Sequence, residues 1–273
     1  MKRTITAGIV HGLLVISSLT TVLPFIWMIL TSFKTYEESI HIPMIILPSS
    51  WNFDNFTEVL AKFPFAYFYT NTFLMMAVVV IGQLAICSLA AYAFARLRFP
   101  GRDLVFLLCL SLMMVPGQIF LIPRYSLMVK WRLTDTLTAL WLPRLFSVFG
   151  VFMLRQFFSA LPRDLDEAAK IDGCSYWGIY HRVLLPLIKP GLVSLGILIA
   201  LDSWKDLMWP LIVNTDMKKQ TLSAGLAYLI GEHTTIYPLV MAGGLMAAAP
   251  MIILFFIFQR YFIEGIALSG IKL

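Results

Sequence analysis

Long apolar runs are the feature that most constrains how this chain can fold. Each is close to the roughly 20 residues that a helix needs to cross the apolar core of a bilayer, and charged segments separate them. The six runs span residues 5–30, 73–94, 104–122, 137–154, 192–213 and 239–258. Charged residues make up only 13% of the chain, against about a quarter in an ordinary soluble domain. The sequence therefore predicts an all-α, polytopic membrane protein, with six transmembrane helices in a single transmembrane domain over residues 1–273.

The first apolar run could also be a secretory signal peptide, because Lys2 and Arg3 precede it. A signal peptide has an apolar core of about 7–15 residues, followed by a small-residue cleavage site. This run is longer, and it continues into Pro24–Leu30 without such a site. We therefore expect a retained first helix.

The positively charged loops predict the orientation of the spans. Arg96, Arg98 and Arg102 follow the second run at once, and such clusters stay on the cytoplasmic side. The basic residues within 124–132 argue for the opposite orientation. Counted over all loops, however, more lysines and arginines lie on the side of Arg96, Arg98 and Arg102, so this side is predicted to be cytoplasmic. With six spans, both termini are then expected in the cytoplasm. Retention of positive charge at that face also explains the net charge of +6, so no nucleic-acid partner is expected.

A polar segment, residues 158–190, separates the fourth and fifth runs and is predicted to form two short helices with a break between them. Asp164 and Glu167 have the spacing of a capping box at the start of the first helix. Gly173 can adopt the left-handed conformation that ends a helix, and Ser175 can cap a second one. Pro186 and Pro190 are expected to mark the end of this second helix.

This segment resembles the EAA loop of ABC importer permeases. The family pattern is Glu-Ala-Ala, three residues, a glycine, nine residues, an aliphatic residue and, after one more residue, Leu-Pro. Here it is carried by Glu167, Ala168, Ala169, Gly173, Val183, Leu185 and Pro186. Further runs are similar to the maltose-type, carbohydrate-uptake branch of the family, namely Ala91–Arg102, Leu154–Phe158, Ser203–Leu211, Phe258–Phe262 and Ser269–Leu273. Two positions depart from that branch, since Cys174 stands where Ala is usual and Lys205 where Asn is frequent.

The resemblance implies that the loop docks into a separate ATPase and passes its movement to the helices. The residues assigned to this ATPase coupling are Glu167, Ala168, Ala169, Asp172, Gly173, Val183, Leu185 and Pro186. Judged from the residues alone, Glu167 could instead be only a helix cap, and Gly173 only a stop signal.

The resemblance also implies the partners and the location. The expected complex contains a second, related permease, two cytoplasmic ATPase subunits that bind ATP and Mg²⁺, and an extracellular solute-binding protein. It would lie in a prokaryotic plasma membrane, in contact with lipid, and import a sugar or an oligosaccharide. The alternatives are a permease for another polar solute such as a glycerol phosphate, or an ion-coupled secondary transporter.

No pattern in the sequence predicts catalysis or a cofactor site. A Walker motif is missing, and neither the histidines nor Cys87, Cys109 and Cys174 have metal-ligand spacing, so we expect free thiols and no metal. An intramembrane hydrolase would need a G-x-S-x-G-like site inside a span, whereas Ser175 lies in the polar loop. The chain is therefore expected to be a transport subunit rather than an enzyme, with ATP hydrolysis in a partner chain.

Ionisable residues inside the predicted spans mark a second candidate site, because they are costly in a membrane and usually functional. Arg144 lies in the fourth run. The fifth run contributes Asp202, Trp204, Lys205, Asp206 and Trp209. The three charged residues of that run have the i, i+3 and i+4 spacing of one helix face. Two interpretations stay open: an ion-pair cluster that only fixes helix packing, or part of the translocation path, with the tryptophans either packing or stacking on sugar rings.

Overall fold

The computed structural model describes the backbone of residues 2–230 and 235–270, and the side chains of residues 10–230, 235–257 and 259. Helices, turns and irregular segments make up this described part, and no strand occurs in it. In chain order the α-helices are α1 (Lys2–Ser32), α2 (Tyr36–Ile40), α3 (Asp54–Lys62), α4 (Phe65–Arg96), α5 (Arg102–Ser111), α6 (Leu121–Lys130), α7 (Leu137–Trp141), α8 (Val148–Ala160), α9 (Asp164–Ile171), α10 (Tyr176–Gly178), α11 (Leu185–Leu187), α12 (Lys189–Trp204), α13 (Met208–Val213), α14 (Leu222–Ala227) and α15 (Tyr237–Gly270).

The chain divides into two compact units. The first comprises Met1–Phe65 and Gly225–Ile253, and the second comprises Ala66–Ala224 and Leu254–Leu273.

In the first unit, residues 33–62 form a folded segment after α1. The side chain of Lys34 is buried and donates a hydrogen bond to the carbonyl oxygen of Ile45 at 2.6 Å. The Asn55 amide donates to the carbonyl oxygens of Ser32 and Lys34, each at 2.9 Å. These bonds tie the end of α1 to α3, so this segment is a small helical cap.

Glu38 fastens α2 within the same cap. Its carboxylate accepts hydrogen bonds from the hydroxyl and the N–H of Ser49 and from the N–H of Thr35, and the Thr35 hydroxyl accepts from the Glu38 N–H. The last two bonds form a capping box. Because the Ser49 hydroxyl and the two N–H groups favour the ionised carboxylate, they lower the pKa of Glu38 to about 2.

The third predicted span is broken rather than continuous. Helix α5 passes into a short 3-10 turn, Leu112–Met114, and the chain then bends by 96° before Gly117–Lys130. Val115 at the break is extended, with φ −90° and ψ 122°. The cause is Pro116, because a proline disfavours the helical conformation of the residue before it. Pro116 therefore ends the helix instead of only bending it.

The fourth and fifth predicted spans are broken as well. After α7 a 3-10 turn, Leu142–Arg144, leads to α8, and the axes of the two halves differ by 45°. Helix α8 starts afresh because the Ser147 hydroxyl accepts from the Gly150 N–H at 3.2 Å, as an N-cap. Helix α12 ends at Trp204, and α13 begins only at Met208. The boundaries predicted at residues 137–154 and 192–213 therefore need correction to 137–160 and 189–213, each with an internal break.

The remaining boundaries also differ from the prediction. Helix α4 runs over Phe65–Arg96 instead of 73–94, because the aromatic residues that precede residue 73 continue the apolar run. Helix α15 runs over Tyr237–Gly270 instead of 239–258. The segment between the fifth and sixth apolar runs, residues 214–237, contains α14, and its Glu232 and His233 lie outside the described residues.

Within the described chain, three helical stretches are long and apolar enough to cross a membrane by themselves. They are Val10–Ser32, Phe65–Arg96 and Tyr237–Ile257. The number rises to six, the number predicted, if each of three bent helix pairs counts as one span. These pairs are Arg102–Met114 with Gly117–Lys130, Leu137–Arg144 with Val148–Ala160, and Tyr176–Leu187 with Lys189–Trp204, so the third pair begins in the polar loop. The fold is accordingly a polytopic, all-α membrane fold.

The core of the second unit lies where α4, α8 and α12 meet. A β-carbon at Gly150 on α8 would lie 3.1 Å from the Cys87 sulfur of α4 and 3.3 Å from Leu195 of α12. Small residues let membrane helices approach this closely. The polar loop connects two of these helices, α8 and α12.

Candidate functional site

The first half of the polar loop is the helix α9, and Gly173 ends it. Gly173 has φ +79°, in the left-handed region, and its N–H donates to the Lys170 carbonyl oxygen at 3.0 Å. The Cys174 N–H donates to the Ala169 carbonyl oxygen at 2.9 Å. These two bonds form a Schellman motif, which satisfies the last carbonyls of the helix. The helix stop predicted at Gly173 is confirmed.

The capping box predicted for Asp164 and Glu167 is not formed. Asp164 is the first helical residue, and Arg163 occupies the N-cap position without a side-chain cap. The reason is that Arg163 already has helical backbone angles, φ −72° and ψ −24°, so the chain enters the helix one residue before the expected cap. The interpretation of Glu167 as only a capping residue is therefore wrong.

The Glu167 side chain is exposed instead, and it lines a cavity of about 310 Å³ together with Arg98 and Lys170. Nothing in the described part of the chain forms a hydrogen bond or an ion pair with its carboxylate. A carboxylate in the first turn of a helix is stabilised by the helix dipole, and this one stays available for an external cation.

The second half of the loop continues from Ser175 to Leu187. The Ser175 hydroxyl accepts from the Gly178 N–H at 3.2 Å, so the predicted N-cap is confirmed. A π-helical segment, Ile179–Leu184, joins α10 to α11. The whole helical stretch then meets α12 at 77°. Isolated π segments within helices occur frequently at functional sites.

Arg96, at the end of α4, anchors the loop. Its guanidinium donates to the carbonyl oxygens of Phe158 and Leu161 at 2.6 and 2.7 Å, and lies 3.1 Å from the Asp166 carboxylate. The two side chains of this ion pair are only 4% and 15% exposed. One arginine thus holds the end of α8 and the helix α9 together. Sequence reasoning had assigned Arg96 only to the orientation of the spans, because nothing in a linear pattern pairs it with Asp166.

Hydroxyl groups of α4 bind the second half of the loop. The Tyr92 hydroxyl donates to the Tyr176 carbonyl oxygen at 3.1 Å. The hydroxyls of Ser88 and Tyr180 lie 2.8 Å apart and form a hydrogen bond. The rings of Tyr92 and Tyr180 are also in contact, with centroids 5.3 Å apart. Both halves of the loop are therefore fixed to the same long helix.

The loop also carries large exposed apolar side chains. Ile171 is 87% exposed, Tyr176 60% and Trp177 63%. Clustered apolar residues of this size on a polar loop indicate an interaction surface. We call Ile171, Tyr176 and Trp177, together with Glu167 and Gly173, the docking face.

The assigned coupling residues divide between this face and the interior. Glu167, Ala168, Asp172, Gly173 and Pro186 are exposed. Val183 and Leu185 are half-buried, and Ala169 is buried. Ala169 therefore packs inward, and its carbonyl group accepts a hydrogen bond in the Schellman motif. Its assignment to ATPase coupling stays a prediction.

The intramembrane charges come together at the two internal breaks. Arg144, at the break of the fourth span, donates to the Asp202 carboxylate at 2.5 Å and also forms an ion pair with Asp206. Gln83 of α4 donates to the Arg144 carbonyl oxygen at 2.5 Å. The Lys205 ammonium lies 3.9 Å from the Asp202 carboxylate. The three charged residues of the fifth run thus come together as their spacing predicted, although α12 ends at Trp204 and a break precedes α13.

The cluster has a buried part and an exposed part. The Arg144 and Asp206 side chains are 14% and 13% exposed, whereas Asp202 and Lys205 are 64% and 75% exposed. Arg144 and Asp206 are thus a packing element, and Asp202 and Lys205 present their charges outward.

The two tryptophans near this cluster are buried. The Trp204 ring lies edge-on to Phe73, with centroids 5.1 Å apart, and the Trp209 indole donates to the Ala139 carbonyl oxygen at 2.9 Å. Their exposures are 6% and 4%. Stacking on a sugar would need an exposed ring face, so the geometry favours the packing interpretation for both.

Comparison with known proteins gives a consistent result. The family described as "Binding-protein-dependent transport system inner membrane component" matches residues 9–267. The chain is 37% identical to the arabinooligosaccharides transport system permease protein AraQ of Halalkalibacterium halodurans, over 100% of both chains. It is 35% identical to AraQ of Bacillus subtilis, over 93% of this chain and 92% of that protein. It is 29% identical to the sn-glycerol-3-phosphate transport system permease protein UgpE of Pectobacterium atrosepticum, over 94% of each.

A solved structure has a similar fold. It is a crystal structure of a bacterial ABC transporter involved in the import of the acidic polysaccharide alginate, with a TM-score of 0.84. The match covers 96% of this chain and 98% of that one at 23% sequence identity, so it supports the fold alone.

Proposed function

This chain belongs to the family of binding-protein-dependent transport system inner membrane components, and we propose that it forms half of the translocation path of an ABC importer for a sugar or an oligosaccharide. It is a transport permease subunit and not an enzyme. The sugar assignment is supported by the AraQ relatives, which are named for arabinooligosaccharide transport. A glycerol phosphate is the second candidate substrate, because the UgpE relatives are named for its transport.

The observation that carries the proposal is the construction of the polar loop. Its docking face exposes Ile171, Tyr176 and Trp177, while Arg96 and the α4 hydroxyls fix the loop to the helical core. A partner that binds the exposed face and moves would therefore move α4 and α8 with it. This is the arrangement that a separate ATPase needs in order to drive helices that cannot hydrolyse ATP themselves.

The docking mechanism follows from the chemistry of that face. The apolar side chains enter a cleft of the ATPase, and the unpartnered Glu167 carboxylate meets a cation of that protein. ATP and Mg²⁺ bind to the ATPase subunits. Closure of two such subunits on ATP binding displaces the loop, and the rigid Schellman and π-helical segments transmit the displacement.

The exposed charges of Asp202 and Lys205 mark the translocation path. A charged side chain in a membrane span faces protein or water and not lipid, because exposure to hydrocarbon is costly. With 64% and 75% exposed side chains, these two residues require a polar neighbour outside this chain. A water-filled path shared with a second, related permease supplies it.

The complete complex then contains the second permease, two ATPase subunits and an extracellular solute-binding protein, in a prokaryotic plasma membrane. Both termini of this chain lie in the cytoplasm, on the side of the arginines that follow α4. The closing segment Ser269–Leu273, whose sequence resembles a tail that reaches the ATPase, falls largely outside the described residues.

Uptake into proteoliposomes tests the function. The purified complex, with its solute-binding protein on the outer side, is supplied with ATP on the ATPase side. We expect accumulation of an arabino-oligosaccharide that depends on ATP and persists when ion gradients are collapsed. Accumulation of glycerol phosphate alone would favour the second candidate substrate, and uptake driven by an ion gradient without ATP would contradict the proposal.

A further inference from the structure

A second cavity, of about 630 Å³, opens beside the docking face in the second unit. It is lined by the turn between α4 and α5 and by the residue just before α9, and its walls include Arg98, Phe99, Arg102, Asp103, Leu104 and Arg163. Arg98 and Arg163 line both this groove and the cavity beside Glu167, but the α4–α5 turn that forms the rest of the groove has no part in the coupling or translocation role described above.

The groove is positively charged. The Arg102 guanidinium is held by the Asp103 carboxylate at 2.9 Å and by the Leu97 carbonyl oxygen at 3.4 Å, so this pair is neutral. Arg98 and Arg163 are both exposed, and in the described part of the chain no hydrogen bond, ion pair or ring contact engages either guanidinium. Two uncompensated guanidinium groups therefore face the same groove. Guanidinium is the group best suited to bind phosphate through paired hydrogen bonds.

An exposed apolar stripe begins at the same groove. Leu104 lines the groove and is 62% exposed, and Leu107 and Leu108 on the same helix are 62% and 58% exposed. Their i, i+3 and i+4 spacing puts them on one face of α5. This face leads from the loop into the membrane-embedded part of the chain, so it is suited to contact hydrocarbon.

We propose that this groove binds an anionic phospholipid. The phosphate of the headgroup lies between Arg98 and Arg163, and an acyl chain follows Leu104, Leu107 and Leu108. Basic pockets beside membrane helices bind anionic headgroups in this way. A free phosphate would use the two arginines but would gain nothing from the leucine stripe, which is why the stripe favours a lipid. Because Arg163 directly precedes α9, the bound lipid connects the α4–α5 turn to the polar loop.

Lipid retention by the purified full-length chain tests the proposal. The chain is incorporated into nanodiscs of phosphatidylcholine containing a labelled phosphatidylglycerol, and bound label is measured by fluorescence transfer from the protein. Arg98→Gln and Arg163→Gln should each weaken binding of phosphatidylglycerol about fivefold, and the double variant about thirtyfold. Arg182→Gln is the matched control, since it removes the same charge from an exposed position of the same loop outside the groove.

Three results would overturn the proposal. The double variant could retain phosphatidylglycerol like the parent. Arg182→Gln could lose as much binding as Arg98→Gln, which would indicate attraction to net charge alone. Inorganic phosphate in excess could displace the labelled lipid completely, which would indicate a free-anion site. Monodisperse elution and an unchanged thermal transition of the double variant show that it is folded, and the result is independent of whether the chain transports a sugar.

Discussion

At residue 173 the backbone adopts φ +79°, which residues with a β-carbon adopt only with strain. A β-carbon there would meet no atom within 4 Å, so the strain would come from the backbone and not from a clash. Gly173 therefore sets the direction in which the chain leaves α9 and leaves open space beside the docking face.

Two substitutions at residue 173 distinguish the need for a positive φ from the need for empty space around the α-carbon. Gly173→Ala should cost about 1–2 kcal/mol of local stability, whereas Gly173→Asn should cost less, because Asn tolerates the left-handed region. The measurement is hydrogen exchange at the Cys174 amide, which closes the Schellman motif. We expect exchange to be about tenfold faster in the Ala variant. Equal exchange in both variants would mean that the positive φ is not what holds this helix end.

Arg96 and Asp166 give a second prediction at this scale. Asp166→Asn leaves Arg96 with its two carbonyl partners, whereas Arg96→Gln removes all three contacts. Breaking a buried pair costs about 3–5 kcal/mol, so both variants should unfold at lower temperature in detergent, with Arg96→Gln the worse. Asp164→Asn, at an exposed position of the same helix, is the control and should unfold like the parent. If Asp166→Asn and Asp164→Asn unfold at the same temperature, the ion pair between Arg96 and Asp166 does not anchor the loop.

Local chemistry predicted part of this site and missed another part for a physical reason. Gly173 and Ser175 were predictable because their roles depend on their own backbone and on neighbours within a few residues. The capping box at Asp164 failed because the position of the first helical turn depends on where Arg163 sits in the packed loop. The pair of Arg96 and Asp166 joins residues far apart in sequence, which only the packing of α4 against α9 brings together.

At the scale of elements, the breaks in the spans determine where charges can lie. Pro210 lacks an N–H, and its ring would clash with the carbonyl group of Asp206 in a continuous helix. A break before α13 removes that conflict and leaves Asp206 free to pair with Arg144. The sequence does not reveal which prolines act this way, because Pro24 and Pro250 lie inside unbroken helices.

The ion pair between the two breaks is expected to behave as a coupled unit. Asp206→Ala leaves Arg144 with an incomplete set of partners in a largely buried site, and should reduce the yield of assembled permease. Combining it with Arg144→Ala should recover part of that yield. Asp202→Ala, at an exposed position, should affect assembly less and transport more. A double variant whose loss equals the sum of the single losses would show that the two sites do not interact.

Glu38 makes the cap after α1 sensitive to acid. Its pKa is lowered from 4.5 to about 2, so its contribution to stability is fully present above the higher value and is lost as pH falls towards the lower one. Hydrogen exchange within residues 35–49 should therefore accelerate between pH 5 and pH 2, beyond the intrinsic effect of pH. Glu38→Gln should remove this additional acceleration. An identical pH profile in the parent and in Glu38→Gln would contradict the role of these hydrogen bonds.

At the scale of the whole molecule, the sequence predicts the class of fold well and its details less well. Apolar runs of about 20 residues require a membrane, and this alone fixes an all-α, polytopic fold. The internal breaks and the long extensions of α4 and α15 follow from packing, which the pattern of apolar residues does not encode. Broken helices are also typical of ion-coupled secondary transporters, so membership of the importer family, and not the breaks, decides between these classes.

Coupling of this permease to a separate ATPase through the polar loop is the central feature of the proposed function. Glu167→Gln keeps the size and helix propensity of the side chain but removes its charge, and Gly173→Asp obstructs the docking face. Asp164→Asn removes a charge from the same helix turn and serves as the control.

The decisive measurement is co-purification of the ATPase, combined with substrate-stimulated ATP hydrolysis of the reconstituted complex. We predict that Gly173→Asp loses the ATPase while the permease still inserts into the membrane. Glu167→Gln should lower stimulated hydrolysis about tenfold or more, as expected for loss of a charge at a protein interface, and Asp164→Asn should match the parent. If Gly173→Asp and Glu167→Gln both retain the ATPase and hydrolyse ATP like the parent, the loop is not the coupling site.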